Sequence, residues 1–229
     1  MDRRLGLILF LLTTLFFSFP AVPASPGTAP LKKSLPDASW VLLQIKDRNR
    51  KLLDFTATMD ITVYAYLMRF PLTAELSFKK PDKVKMEFTR VPSWLKARES
   101  TFRTALPTET LYRSYKSRVI GIETERGKQC YALRMTAPDR GNVKNVYLWV
   151  DSCNFTPRKF YLSYRDGGTV ELENEFASFG GFHLITRQKI TFDLPEFTAK
   201  ALVKYSGYRV NQQLSDEIFR KKESPLPGK

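Results

Sequence analysis

The sequence predicts a mainly β (α+β) fold: a wide antiparallel sheet with one amphipathic helix. Three features carry this. Between Lys144 and Phe219, five strand-length runs follow one another, each bounded by turn residues. From Phe55 to Leu67, apolar and polar side chains alternate without a break. Ahead of that run, one stretch repeats its apolar residues at helical spacing.

Residues 1–24 have the pattern of a secretory signal peptide. Arg3 and Arg4 form a basic start, and Leu5 to Phe19 is apolar apart from Gly6, Thr13, Thr14 and Ser18. Val22-Pro23-Ala24 supplies small residues for cleavage, expected after Ala24. The apolar run is shorter than the roughly 20 residues of a membrane span. No Cys lies near the cleavage position, so the mature protein is expected to be soluble, without lipid anchor or stable membrane insertion. Residues 25–33 form a flexible lead, residues 34–219 a single domain, and residues 220–229 a polar, disordered tail.

The domain opens with a helix. Ser34 is the expected N-cap, Pro36 lies in the first turn and Asp37 three residues on. Ala38, Val41, Leu42, Ile45, Asn49, Leu52 and Leu53 then form a stripe of about four turns. This stripe suits either an ordinary core helix or a lid over a ligand cavity.

In the strand from Phe55 to Leu67, Phe55, Ala57, Met59, Ile61, Val63, Ala65 and Leu67 share one parity. Its length suits a large curved sheet or barrel. A turn is expected at Arg69–Pro71, then a strand with Leu72, Ala74, Leu76 and Phe78 inward. A second turn at Lys80-Pro81-Asp82 leads to a strand with Val84, Met86 and Phe88 inward. The alternation lapses from Arg90 to Tyr115, where a loop with short helical pieces near 93–100 and 108–114 is expected.

Strand pattern returns at Arg118–Thr124 and Cys130–Thr136, and then in the five closing runs: Asn145–Asp151, Arg158–Arg165, Thr169–Ser178, His183–Leu194 and Phe197–Val210. Val170, Leu172 and Phe176 alternate with Glu171, Glu173 and Glu175. Leu184, Ile190, Phe192 and Leu194 alternate with Arg187 and Lys189. A three-residue loop Gly180-Gly181-Phe182 would set Glu175 opposite Arg187 and Glu173 opposite Lys189. A two-residue Gly-Gly turn would set these acids against the apolar parity, so the three-residue loop is expected.

Cys130 and Cys153 are the two cysteines, and an exported chain with two invites a disulfide. Pairing Leu133 with Leu148 makes the two diagonal neighbours, so a bend at Ser152 is needed to close a bridge. The alternative is two buried free thiols.

No catalytic constellation is present, so an enzyme is not expected. His183 is the one histidine and lacks an identifiable acid or nucleophile beside it. One histidine and two separated cysteines do not make a zinc set, and no cofactor is expected. Glu171, Glu173 and Glu175 point outward toward bases, as a solvated salt-bridged face. Hydrophobic residues at 43% and aromatics at 13% describe a globular chain. The net charge of +14 favours anionic partners: lipid headgroups, an acidic protein face or nucleic acid. Export removes nucleic acid from that list.

Residues 34–219 resemble the LolA-like outer-membrane lipoprotein-sorting proteins. The likeness rests on Asp54-Phe55-Thr56-Ala57-Thr58, Phe78-Lys79-Lys80-Pro81-Asp82-Lys83 and Tyr147-Leu148-Trp149-Val150-Asp151. Tyr208-Arg209-Val210-Asn211 with Leu214-Ser215-Asp216 and Phe219 completes it. The Cys pair and the Val210-Asn211 ending mark a divergent member. The resemblance implies an unclosed, strongly curved antiparallel barrel with helices over its open side. It also implies a monomeric periplasmic carrier that holds acyl chains in an apolar cavity. It would pass a lipid or lipidated protein from an inner-membrane donor to an outer-membrane acceptor. The alternative is a non-catalytic envelope regulatory or protein-binding module of the same fold.

Apolar contact is worth about 0.8 kcal/mol per buried CH₂, so a greasy lining suffices for acyl chains. The candidate lining is Met59, Ile61, Val63, Leu76, Phe78, Met86, Phe88, Leu133, Leu148 and Phe160. The candidate lid contacts are Val41, Leu42 and Ile45. The lining residues suit a cavity wall or a filled core.

Overall fold

The structure is a computed structural model that describes residues 35–65, 68–81, 83–90, 115–138 and 142–220. The segments expected as signal peptide and lead, Ser34, Leu67, Asp82, residues 91–114 and the tail from residue 221 lie outside the described residues. So do the expectations placed on them.

One helix, α1 (Ala38–Arg48), precedes ten strands. These are β1 (Asp54–Ala65), β2 (Met68–Lys79), β3 (Lys83–Arg90), β4 (Lys116–Glu125) and β5 (Lys128–Thr136). Then come β6 (Val143–Asp151), β7 (Pro157–Tyr164), β8 (Thr169–Phe179), β9 (Phe182–Leu194) and β10 (Phe197–Val210). All ten form a single antiparallel sheet in the order β3-β2-β1-β10-β9-β8-β7-β6-β5-β4. The sheet is curved and unclosed: β3 and β4 are its edges, and neither pairs with a further strand among the described residues.

Alternation decides the faces, as the sequence predicts. Phe55, Ala57, Met59, Ile61, Val63 and Ala65 are all buried along β1, and Leu72, Ala74, Leu76 and Phe78 along β2. Inward residues of nine strands and α1 join one apolar cluster. On the outer face, Glu173 pairs with Lys189 and Glu175 with Arg187 in register. The Nζ–O distance is 2.6 Å for the first pair and the N–O distance 3.7 Å for the second. Arg126 also binds both acids, and Lys159 sits 3.2 Å from Glu171. Leu133 faces Leu148, as expected.

Four details differ from the sequence reading. The β8–β9 turn is the two-residue Gly180-Gly181, with φ of 56° and 83° and Phe179 opposite Phe182. Glu175 still meets Arg187 because the register shifts by one residue just beyond, where Phe176 faces Ile185. Thr186 is the bulged residue, and its hydroxyl donates to the Glu175 carbonyl at 3.3 Å.

The expected turn at Arg69–Pro71 is part of β2 instead. Ala65 already pairs with Met68, and Pro71 pairs with Thr62. β3 covers β2 only from Thr73 onward, so Pro71 sits where β2 is locally an edge, the place a strand tolerates proline.

The helix starts later and is shorter than expected. Asp37 is the N-cap, its carboxylate accepting from the Ser39 N–H at 2.7 Å. Leu53, expected on the buried stripe, is exposed.

Cys130 and Cys153 are free, which overturns the disulfide. Cys130 is buried opposite Asp151. The turn beyond Asp151 wraps around that residue's carboxylate, which accepts from the N–H groups of Cys153 (3.0 Å) and Asn154 (3.2 Å). Ser152 is tied to the Gln129 carbonyl through its N–H and hydroxyl. The bend at Ser152 exists, but it leaves Cys153 in solvent.

Candidate functional site

The ten candidate lining residues are brought together. All lie on the inner face and belong to or pack on the one apolar cluster. Nine are buried, and Phe88, near the end of edge strand β3, is half-buried. They come from six strands, β1, β2, β3, β5, β6 and β7, so the sheet's curvature makes their cluster.

α1 lies across this face at the end where β1 begins and β2 ends. Its Val41 is fully buried, while Leu42 and Ile45 are half-buried against the cluster. Near its N-terminus, the Trp40 ring packs edge-on against Phe155 (5.4 Å) and Tyr131 (6.5 Å). At its other end, Asn49 Nδ2 donates to the His183 carbonyl at 3.1 Å. Lys80, in the β2–β3 turn, donates through Nζ to the carbonyls of Asn49 (2.9 Å) and Arg50 (2.8 Å). An ammonium at a helix C-terminus meets the carbonyls left without intrahelical partners and the negative end of the dipole. Burial, and then nearby Lys46, lower the Lys80 pKa from its ordinary value. Lys80 is a functional candidate that sequence reasoning missed, since a lysine in a turn carries no signal of its target.

A polar chain crosses the inner face. The Tyr205 hydroxyl donates to Gln188 Oε1 (3.2 Å), Gln188 Nε2 to Asn174 Oδ1 (2.9 Å), and Asn174 Nδ2 to the Pro157 carbonyl (3.0 Å). All three side chains are buried. Burial, with Tyr208 nearby, raises the Tyr205 pKa well above its ordinary value. The signal was present in the sequence: Asn174 and Gln188 occupy the apolar parity of their strands.

Beside the helix end, burial and then the charge of Arg48 lower the His183 pKa below its usual value. Burial works to raise the Asp151 pKa, but hydrogen bonds from Cys153, Arg158 and Asn154 outweigh it and hold the pKa below the usual carboxylate value. Arg158 Nε donates to Asp151 at 3.1 Å. Burial and Asp151 push the Cys130 thiol up to about 11. No group of three or more His, Cys, Asp or Glu suited to a metal ion occurs among the described residues. None of their helices is long and apolar enough to cross a membrane.

The face is thus a greasy surface with one narrow polar line, covered at one end by a short helix that is tied by hydrogen bonds. Solved structures share this fold. A putative outer membrane lipoprotein-sorting protein domain from Vibrio parahaemolyticus matches with a TM-score of 0.63 at 14% identity, over 77% of this chain and 94% of the other. A LolA superfamily protein from Nitrosomonas europaea matches with a TM-score of 0.62 at 17% identity, over 82% and 99%. The chain has a LolA-like fold. A DUF1329 family protein from Desulfovibrio piger is similar at a TM-score of 0.63 and 12% identity, over 79% and 94%. No family model and no curated protein matches the sequence. The chain is therefore like these structures in architecture at low sequence identity.

Proposed function

We propose that the protein is a periplasmic carrier. It binds a lipid, or the acyl chains of a lipoprotein, against the inner face and hands it from an inner-membrane donor to an outer-membrane acceptor. One observation carries the reading: an unclosed sheet whose inner face is apolar across nine strands, under a helix fixed largely at its ends. Acyl chains need contact area rather than hydrogen-bond partners, and each buried CH₂ supplies about 0.8 kcal/mol. Met59, Met86 and Met135 adapt to chains of different shape. Lys80 acts as a latch: releasing it frees the C-terminal end of α1 and opens a way to the inner face. The signal peptide, cleaved after Ala24, delivers the chain to the periplasm. Binding and release, without a covalent step, are the whole cycle.

Native mass spectrometry of the protein purified from the periplasm, with organic extraction of the same sample, tests this. Stoichiometric lipid or acylated protein is expected. A bare mass with no uptake on incubation with lipid means a filled core, and the protein-binding reading replaces the carrier.

A further inference from the structure

We propose that one corner of the outer face, where the β1–β2 and β9–β10 hairpins end, docks on an anionic lipid bilayer. Register sets out the corner in rows. Arg69, Tyr64, Lys200 and Thr191 face one another across β2, β1, β10 and β9. Thr62, Leu202 and Lys189 form the next row. At this corner the outward-facing Tyr64 is 40% exposed and Leu202 44%, and Met68 at the hairpin end is 55% exposed. Tyr64 and Leu202 are diagonal neighbours on the outer face, while Met68, opposite Ala65 on the other parity, opens the return strand at the hairpin end. At the two hairpin ends lies an open cleft of about 760 Å³, lined by Tyr64, Met68, Arg69 and Lys200 together with inner-face Phe192 and Ala199.

Charge decides the occupant. Lys189 is engaged by Glu173. Arg69, Lys200 and Lys204 form no ion pair among the described residues, although Asp60 stands opposite Lys204 in register and Asp193 borders the cleft. Three cations without an ion pair among the described residues therefore lie beside two exposed outer-face side chains, Tyr64 and Leu202, and the exposed Met68 at the hairpin end, on a chain of net charge +14. Tyrosine suits the headgroup layer, methionine and leucine the acyl boundary beneath it, and long basic side chains reach phosphates from an apolar patch. The contact is peripheral, and it stands independently of what the inner face holds.

Co-sedimentation of the mature protein with vesicles tests it. Binding is expected to phosphatidylglycerol-containing vesicles at low salt, and to fall on pure phosphatidylcholine and at high salt. Each cation near an anionic surface contributes a factor of about five, so R69E/K200E/K204E, which removes three cations and adds three anions, is expected to weaken partitioning by more than about a hundredfold. M68D is expected to weaken it without changing the net positive charge by more than one. K116E/R118E/K128E changes the net charge as much as the first variant, but its residues lie toward the far edge of the sheet, on β4 and β5, and it is expected to keep most of the binding. Circular dichroism checks that each variant is folded. Equal binding to both lipids, no loss in the first variant, or an equal loss in the distant one overturns the proposal. Failure of lipid extraction from the purified protein leaves it intact, because that experiment reads the inner face alone.

Discussion

The Lys80 ammonium lies 2.9 Å from the backbone oxygen of Asn49, linking the β2–β3 turn to the residue that ends α1, the one α-helix among the described residues. A second bond, 2.8 Å to the Arg50 carbonyl, makes the contact two-pronged. Replacing Lys80 with methionine keeps much of the stem and removes both bonds. Hydrogen bonds to a charged group are worth about 1.5–3 kcal/mol, so K80M is expected to speed amide exchange in residues 38–53 by one to two orders of magnitude, with arginine restoring protection. Unchanged exchange in that segment means α1 is held by its apolar stripe alone.

The chain Tyr205–Gln188–Asn174 is expected to behave as a unit. Asn174→Leu leaves the Gln188 amide and the Pro157 carbonyl buried without their partner, at a cost of about 1–3 kcal/mol. Gln188→Leu strands Tyr205 and Asn174 in the same way. The double variant is expected to lose less than the sum of the two, with a coupling of about 1 kcal/mol or more in urea denaturation. Strict additivity would show that the three groups are energetically independent.

The two thiols are expected to differ sharply in reactivity. Cys153 is exposed, whereas Cys130 is buried and its pKa stands near 11. At mildly alkaline pH a maleimide should label one equivalent of native protein, at Cys153, and a second only after unfolding. A mass two hydrogens light before reduction would reveal a disulfide and contradict the turn around Asp151.

Acid stability should depend on His183. Its folded pKa lies below the ordinary 6.5, chiefly through burial and also through Arg48. The unfolded chain therefore binds a proton at pH values where the folded chain does not. The contribution of neutral His183 is fully present above 6.5 and is lost as pH falls from there toward the folded value. Thermal melts of His183→Gln across that window should show a flatter pH dependence than the parent. An identical slope would remove His183 from the account.

The strands were largely legible because period-two alternation is direct evidence of a half-buried sheet. Glu173 and Lys189, placed opposite each other from charge alone, are in contact. What escaped detection was what alternation does not encode. The bulge at Thr186 lets a two-residue turn coexist with the same charge pairing, and single-residue insertions leave no periodic trace. Ser34 and Asp37 are equally good caps in composition, and Asp37 starts the helix because Ser39 supplies its N–H in reach. Cys130 and Cys153 sit close enough in sequence pattern for a bridge, but the hydrogen bonds of Asp151 set the turn. The lining residues were legible as a shared face, since parity sorts faces. The Lys80 latch joins segments far apart in sequence and had no local signature.

The strand order also constrains how the chain comes together. Every neighbouring pair but one is formed by consecutive strands, and the exception is β1 with β10. That pair brings Phe55 opposite Val210 and joins a three-stranded meander to a seven-stranded one. Closing a loop of about 150 residues costs roughly 3 kcal/mol more in chain entropy than closing a short hairpin. The two meanders can each zip up locally, so their union is the slow, topologically expensive event. Until it occurs, β1 and β10 are both bare edges, and the protein in transit is most exposed to mispairing there.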